Sequence, residues 1–312
     1  MLEASLAPST QAQYSSPLNR WHSFCTEKGI DPTQGTASHL LNFLTAWHGE
    51  GASYGTLNSA RAAISLISVE NFSADKLISR FFEALYRLQP PKPRYAFTWD
   101  AQRLLDHVEQ LWPLDGIPLA VLSRRLVALL AITTAKRVDE LFKIELPNIR
   151  QTAAGFEIGI SALIKTSRPG APPPLLSLPF FPQNPKLCVP TTLLRYLEAT
   201  RSLRGDIRQL FIATVPPYKA VGKETLRRWI KTTLRDAGIE APFSSHSTRH
   251  AAVSTAFRNG VDIHTIYQTA NWSARSRVLA AHYHRPIQER SFAHAVLQAP
   301  PSATNPSVVN SL

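Results

Sequence analysis

Hydrophobic residues recur at helical spacing through residues 1–88. The first run, STQAQYSSPLNRWHSFCTEKG, has apolar side chains three or four positions apart, begins with Ser9 or Thr10 as a cap and stops at Gly29. The same spacing returns in three more segments, ASHLLNFLTAWHGEG, YGTLNSARAAISLISVE and SADKLISRFFEALYRL. The pattern predicts a helical domain of four helices, and it holds no catalytic constellation.

A proline-rich segment, QPPKPRY (89–95), follows this unit. Because proline has no backbone N–H and fixes its own backbone angle, such a run breaks helices and makes a semi-rigid linker. We therefore predict a domain boundary here and a second domain over 96–299. The closing segment APPSATNPSVVNSL is rich in proline and small polar residues, and 300–312 is predicted to be a disordered tail.

The second domain mixes two periodicities. TWDAQRLLDHVEQLW predicts a helix capped by Thr98 or Asp100, and SRRLVALLAITTA is apolar nearly all round, which predicts a buried helix. Residues 155–181 alternate like strands around a Pro/Gly turn, which predicts a small antiparallel sheet with Lys165 at a strand end. Helices resume afterwards. The predicted fold class is mainly α with a small antiparallel β-sheet.

Charge is distributed unevenly along the chain. The net charge is +12, yet residues 1–90 hold six Lys/Arg and seven Asp/Glu (net −1), and residues 91–312 hold 28 and 15 (net +13). Such a bias indicates a polyanionic partner, or a generally basic soluble protein. Cys25 and Cys188 have no metal-type or disulfide-framework spacing. Without a signal-peptide core or a long apolar run, we expect an intracellular protein that does not enter a membrane.

The motif HSTRH (246–250) fits two chemistries. Two histidines four apart on a helix are half of a zinc-hydrolase signature, but Ser247 stands where the catalytic Glu would be, and Arg249 places a fixed positive charge beside the would-be metal. The alternative is phosphate chemistry, because an arginine fork matches phosphate oxygens and His246 is expected on the same helical face. The sequence favours phosphate and no metal.

Other segments supply residues that suit the same chemistry. TAKRVDEL places Arg137 three residues before Glu140, which is able to brace its guanidinium, although a surface ion pair has the same pattern. LIKTSRPG places Lys165 at a hairpin tip, where solvated lysines are common. NWSARSRVLAAHYHRP supplies Trp272 and Tyr283, whose alternative is ordinary aromatic packing.

In this order the motifs resemble the tyrosine recombinase (phage-integrase-like) family. That family carries an arginine in an AxRxxEL context, a hairpin lysine, an HxxR helix, a His or Trp, and a C-terminal nucleophilic tyrosine. The resemblance covers nearly the whole chain, because the N-terminal unit looks like the family's SAM-like core-binding domain. KTSRPGAPPPLLSLP, RRWIKTTLRDAGI, HSTRH and the NWS and YHRP segments look most like recombinases of DIRS-type and Crypton-type eukaryotic mobile elements.

The resemblance implies catalytic roles for six residues: Arg137, Lys165, His246, Arg249, Trp272 and Tyr283. Tyr283 would attack the scissile phosphate and form a 3′-phosphotyrosyl link. Arg137 and Arg249 would hold the non-bridging oxygens, Lys165 would protonate the leaving 5′-oxygen, and His246 would assist proton transfer. No cofactor, ATP or metal is implied, because the covalent bond conserves the phosphodiester energy.

Two departures from the family pattern concern the same end of the site. Trp272 stands where histidine is usual; a tryptophan donates one N–H and packs, but it does not move a proton. Tyr283 lies slightly farther past this position than in common phage-type members. Tyr267 also follows the HxxR motif, but it precedes Trp272, so we expect it in the core. Glu140 and His250 are expected to support the site.

Double-stranded DNA is the expected partner. One stripe of the KETLRRWIKTTLR segment and the linker supply the candidate DNA-binding residues: Lys92, Arg94, Lys223, Arg227, Lys231 and Arg235. The resemblance implies a homotetramer on two DNA sites, with the predicted helix 287–299 docking on a neighbour or folding back. It favours a eukaryotic host and thus the nucleus; in any other host the expected location is the cytoplasm or nucleoid. Type IB topoisomerase-like relaxation and an inactive DNA-binding protein with the same fold remain open.

Overall fold

The computed structural model describes residues 5–91, 97–170 and 172–272. The chain divides into two compact units, Met1–Pro93 and Arg94–Leu312, so the division falls inside the segment 89–95. The predicted DNA-binding role of the first unit and the tail at 300–312 stay predictions.

The described residues of the first unit form four helices: α1 (Pro8–Lys28), α2 (Ala37–Gly49), α3 (Tyr54–Ile67) and α4 (Lys76–Leu88). The caps predicted for α1 are wrong, because the helix begins at Pro8 after Ala7. Proline suits the first helical position, where its missing N–H costs nothing. Trp21 is fully buried at the centre of this unit, and its Nε1 donates to the carbonyl oxygen of Pro32 at 2.9 Å.

The second unit holds seven helices among its described residues: α5 (Ala101–Gln110), α6 (Leu119–Thr134), α7 (Val138–Phe142), α8 (Val189–Thr200), α9 (Lys223–Asp236), α10 (Ser247–Arg258) and α11 (Ile263–Thr269). Short 3-10 helices span Leu146–Asn148 and Pro185–Leu187. Asp100 caps α5, since its side chain accepts from the backbone N of Gln102 at 3.1 Å.

A three-stranded antiparallel sheet accompanies these helices, with β1 (Ile149–Thr152), β2 (Gly155–Gly159) and β3 (Leu175–Pro179) in the order β1-β2-β3. The predicted β2 and β3 are present. The alternation does not reveal β1, because its sequence IRQT has a single apolar residue. Gly155 has φ +152°, and a Cβ there would lie 2.1 Å from the carbonyl oxygen of Leu178, so this pairing requires glycine.

Helix α6 lies at the centre of the second unit, and its apolar residues Leu126 to Leu130 are fully buried, as its composition predicts. Arg125 is fully buried as well, which the pattern does not predict. It donates to the carbonyl oxygens of Val108 and Lys186 and to Thr192 Oγ1. Burial lowers its pKa to about 10, and these hydrogen bonds offset the cost of desolvating the cation. Helix α6 therefore forms much of the core of the second unit.

Within the described part of the chain, no helix has both the length and the apolar composition that crossing a bilayer requires.

Candidate active site

The turn between α6 and α7 carries the first arginine of the site. Ala135 ends α6 in the left-handed conformation (φ 51°), and Arg137 is the N-cap residue of α7. The backbone N of Arg137 donates to Glu140 Oε2 at 2.6 Å, and its Nη1 lies 3.8 Å from Glu140 Oε1. The side chain of Glu140 is 2% exposed. The pairing that the spacing of these two residues suggested is therefore partly buried rather than a surface ion pair.

The second arginine comes from α10 and is almost completely buried. Arg249 is 1% exposed, and its guanidinium donates to the carbonyl oxygens of Ala135, at 2.6 Å, and Ala270. Its Cζ lies 4.7 Å from the ring centroid of Trp272, which is cation–π distance. These contacts fix the plane of the guanidinium against the turn that carries Arg137.

Glu140 connects the two arginines, because Arg249 Nη1 lies 3.9 Å from Glu140 Oε2. Lys136 adds a further cation beside them and is only 4% exposed. Burial lowers the pKa of Lys136, Glu140 acts against that shift, and the positive charges of Arg249 and Arg137 reinforce it. One carboxylate and three basic side chains give a positive cluster, which suits a bound anion.

The two histidines of HSTRH differ in their exposure. His246 is the N-cap residue of α10 and is exposed, whereas His250 lies inside the helix and is 5% exposed. The helix begins at Ser247, one residue after His246, whose own backbone already has the right-handed helical conformation. That His246 shares a helical face with Arg249 stays a prediction. The two imidazole rings lie 5.4 Å apart in an edge-to-face contact.

Lys165 lies outside the strands, and its predicted position at a strand end is wrong. The connection between Gly159 and Leu175 is long, and Lys165 is exposed within it. The same loop reaches the end of the described chain, since Asn271 Nδ2 donates to Thr166 Oγ1 at 2.5 Å. The structure thus links the loop of Lys165 to the residue next to Trp272.

Helix α9 exposes the basic stripe predicted for it. Its candidate DNA-binding side chains are all exposed: Lys223, Arg227, Lys231 and Arg235. Leu226, Ile230 and Leu234 are buried on the opposite side. Arg227 is paired with Glu224, and Arg235 Nη2 lies 3.7 Å from Asp236 Oδ1. Helix α9 is therefore amphipathic: its apolar side packs against the core, and its basic side faces solvent.

Sequence comparison agrees with this geometry. The model of the phage integrase family matches residues 100–290, more than half of the chain. This chain belongs to the phage integrase family. Its membership and its fold make it a tyrosine recombinase, an enzyme of DNA strand cleavage and rejoining. A comparison with curated proteins finds no match.

Solved structures of recombinases share the fold of this tyrosine recombinase. The XerH site-specific recombinase bound to its palindromic difH substrate has 15% identity and a TM-score of 0.58, over 83% of this chain and 72% of that one. A lambda integrase dimer bound to a COC′ core site has 13% identity and a TM-score of 0.53, over 92% and 74%. The Tn1549 transposon integrase has 12% identity and a TM-score of 0.51, over 86% and 87%.

Three candidates of the recombinase site lie outside the described residues: Tyr283, Lys92 and Arg94. The segment 287–299, predicted to be a helix, also lies outside them. Tyr267 is described, and its ring lies 6.2 Å from that of Trp272, in a small apolar cluster with Val253 and Ile266. That position agrees with the expectation that it is a packing residue. Among the described residues, no group of three His, Cys, Asp or Glu side chains is placed to hold a metal ion.

Sequence patterns missed two features of the recombinase site. Lys136 precedes Arg137 in TAKRVDEL, but nothing in that motif shows that a lysine is buried. Trp99 Nε1 donates to Ser247 Oγ at 2.9 Å, across 148 positions of sequence. A buried Trp and a buried Ser each need a hydrogen-bond partner, which is the only signal that could have suggested this pair. Local periodicity does not show which distant residues pair.

Proposed function

We propose that this recombinase cleaves DNA with Tyr283, forming a 3′-phosphotyrosyl bond and freeing a 5′-hydroxyl that later attacks to rejoin a strand. The observation that carries the proposal is the shared contact of Arg137 and Arg249 with Glu140. Two arginines held on separate helices around one carboxylate form a preorganised donor set for the oxygens of one phosphate.

The cluster suits a tyrosine nucleophile. A phenol has a pKa of about 10, so roughly one molecule in a thousand is phenolate at neutral pH. Neighbouring cations favour the phenolate, and they stabilise the charge that builds on the phosphate oxygens during attack. Arg137 and Arg249 are the proposed holders of those oxygens, and Glu140 keeps both guanidinium groups in place. The bond energy stays in the phosphotyrosine, so the reaction needs neither ATP nor a metal.

The remaining groups of the site have proposed roles in proton transfer and support. Lys165, on its exposed loop, protonates the leaving 5′-oxygen, and His246 assists proton transfer from the N-terminus of α10. Trp272 supports Arg249 through the ring contact, or donates its N–H to a phosphate oxygen. His250 packs behind His246 and supports it.

Double-stranded DNA is the proposed substrate, held along its backbone by basic residues outside the site. The exposed stripe of α9 supplies Lys223, Arg227, Lys231 and Arg235, and the linker supplies Lys92 and Arg94. The similar structures of XerH and lambda integrase are of complexes with DNA, and one is a lambda integrase tetramer on a Holliday junction. We propose the same assembly here, a homotetramer on two DNA sites.

We propose the finer grouping with recombinases of DIRS-type or Crypton-type mobile elements, which the motif resemblance supports. It rests on the KTSRPGAPPPLLSLP and HSTRH segments. A mobile-element recombinase of a eukaryote acts on chromosomal DNA, so the nucleus is the proposed location.

The decisive test traps the covalent intermediate. The protein is incubated with a pool of nicked duplexes that have randomised centres, and adducts that survive detergent are recovered and sequenced. The wild-type protein and Tyr267→Phe should form adducts, and Tyr283→Phe should bind DNA without forming any. If the wild-type protein forms no adduct with any duplex, the chain is a DNA-binding protein without cleavage activity. If only Tyr267→Phe abolishes the adduct, the nucleophile is Tyr267 and not Tyr283.

A second assay separates strand exchange from relaxation. Two duplexes carrying a recovered sequence should yield recombinant products. Relaxation of a supercoiled plasmid without such products would identify a topoisomerase-like enzyme instead.

A further inference from the structure

A hydrogen-bond relay connects the start of the second unit to the N-terminus of α10. Trp99 Nε1 donates to Ser247 Oγ at 2.9 Å, and Ser247 Oγ donates to the carbonyl oxygen of Ser244 at 2.6 Å. Trp99 is 3% exposed and Ser247 is 1% exposed. Because both polar groups are buried, each needs its partner, and the relay fixes both side chains.

A second contact joins the same two segments. The ring centroids of Phe97 and Phe243 lie 5.7 Å apart in an edge-to-face arrangement. Residues 97–99 thus contact residues 243–247 at both ends. His246 lies inside the contacted stretch, between the two serines of the relay.

The relay controls the backbone that carries His246. The backbone N of Ser247 donates to the carbonyl oxygen of Ser244 at 2.8 Å, so the turn around His246 is closed by the same carbonyl that accepts from the Ser247 hydroxyl. His246 is the N-cap residue of α10, so its backbone lies in this turn. The point from which its imidazole extends towards the ring of His250 therefore depends on the turn, and the turn is held against Trp99.

We propose that Trp99 is a positioning residue for His246, acting through the hydroxyl of Ser247. The inference rests on the proposed function, because it concerns the proton-transfer role of His246 in strand cleavage. In this proposal Trp99 acts without touching DNA. It sets the distance and direction of the His246 imidazole relative to the reacting groups. A shift of the imidazole away from the reacting groups is costly, since the efficiency of proton transfer depends on hydrogen-bond geometry.

The test is a double-mutant cycle of Trp99 and His246. Its readout is single-turnover cleavage of a nicked duplex whose sequence comes from the adduct-trapping experiment above. Trp99→Phe keeps an aromatic ring but removes the N–H together with the pyrrole part of the indole, and it should slow single-turnover cleavage at saturating DNA about tenfold, with unchanged duplex affinity. Ser247→Ala removes the acceptor and should give a loss of similar size. In a His246→Ala background, Trp99→Phe should have no further effect, because its contribution passes through that imidazole.

Trp112→Phe is the matched control, because Trp112 packs against the core of the same unit and should leave the rate unchanged when substituted. The inference is overturned if Trp99→Phe cleaves at the wild-type rate, or if it causes the same fold loss with and without His246. Adduct formation by the wild-type protein in the same assay keeps that result distinct from a failure of the proposed function. If the wild-type protein forms no adduct, the proposed function and this inference fall together.

Discussion

Glu140 and Arg249 form an ion pair in the interior of the second unit, with 3.9 Å between Oε2 and Nη1 and side chains that are 2% and 1% exposed. The same carboxylate accepts from the backbone N of Arg137. A buried carboxylate that serves two arginines has a structural and an electrostatic role at once. It neutralises part of a positive cluster, and it fixes where the guanidinium groups point.

Glu140→Gln should destabilise the protein and slow cleavage. The amide keeps an oxygen for the N–H of Arg137 but removes the negative charge, which leaves Arg249 buried without its counter-charge. We expect the free energy of unfolding to fall by about 3 kcal/mol. Denaturant titration measures that loss, and Asp139→Asn is the control, because Asp139 is paired with Lys143 nearer the surface. Equal, small losses in both variants would contradict a special role for Glu140.

Arg249→Lys should separate transition-state stabilisation from DNA binding. Lysine keeps the charge but lacks the planar fork that holds Ala135 and Ala270 and meets phosphate oxygens in pairs. Single-turnover cleavage should slow by about two orders of magnitude, which corresponds to about 3 kcal/mol of barrier, while duplex affinity changes little. A thermal melt checks that the variant folds.

Lys231→Ala is the matched comparison for that variant. Lys231 is exposed on α9, so its loss should weaken duplex binding and lower the slope of log K against log salt concentration by about one unit. Cleavage at saturating DNA should stay normal. Filter binding beside single-turnover cleavage measures both. If Arg249→Lys loses duplex affinity and cleavage rate in equal proportion, Arg249 only contacts the DNA backbone, as Lys231 is predicted to do.

Lys136→Met should stabilise the protein at neutral pH. Burial lowers the pKa of Lys136 from its ordinary value of 10.5, so the folded chain bears the cost of a desolvated charge below that lowered pKa. Methionine fills similar space without a charge, and we expect a gain of about 1 kcal/mol. As pH rises through the lowered pKa, the wild-type lysine loses its proton and the gain should shrink towards zero near pH 10.5.

Denaturant titrations of both proteins between pH 7 and pH 10 measure this difference. A difference that stays constant with pH would show that packing, not desolvation, sets the cost of Lys136.

Cleavage should not depend on a divalent metal. Ser247 occupies the position where a zinc hydrolase carries its general base, and the proposed chemistry uses side-chain cations instead. Adduct formation should therefore continue at full rate in excess EDTA. Loss of adduct on chelation, with recovery on adding zinc or magnesium, would revive the metal hypothesis for HSTRH.

The sequence by itself determined the helices of the first unit, the buried character of α6, the strands β2 and β3, and the residue types of the site. These features depend on spacing along a few turns of chain, which the order of residues records directly. Motif order was enough to indicate the family, and the family match agrees. It was also enough to place Arg137 within reach of Glu140, because the two residues are only three positions apart.

Tertiary structure alone decided which of those residues meet. Arg249 contacts Ala135 across 114 positions and Trp99 contacts Ser247 across 148, and such pairs depend on how whole helices pack. The exposure of each charge was decided in the same way: Lys136 and Arg125 are buried, while His246 is exposed one residue before its helix. Helical periodicity describes one element at a time, whereas burial results from the neighbours that packing brings to it.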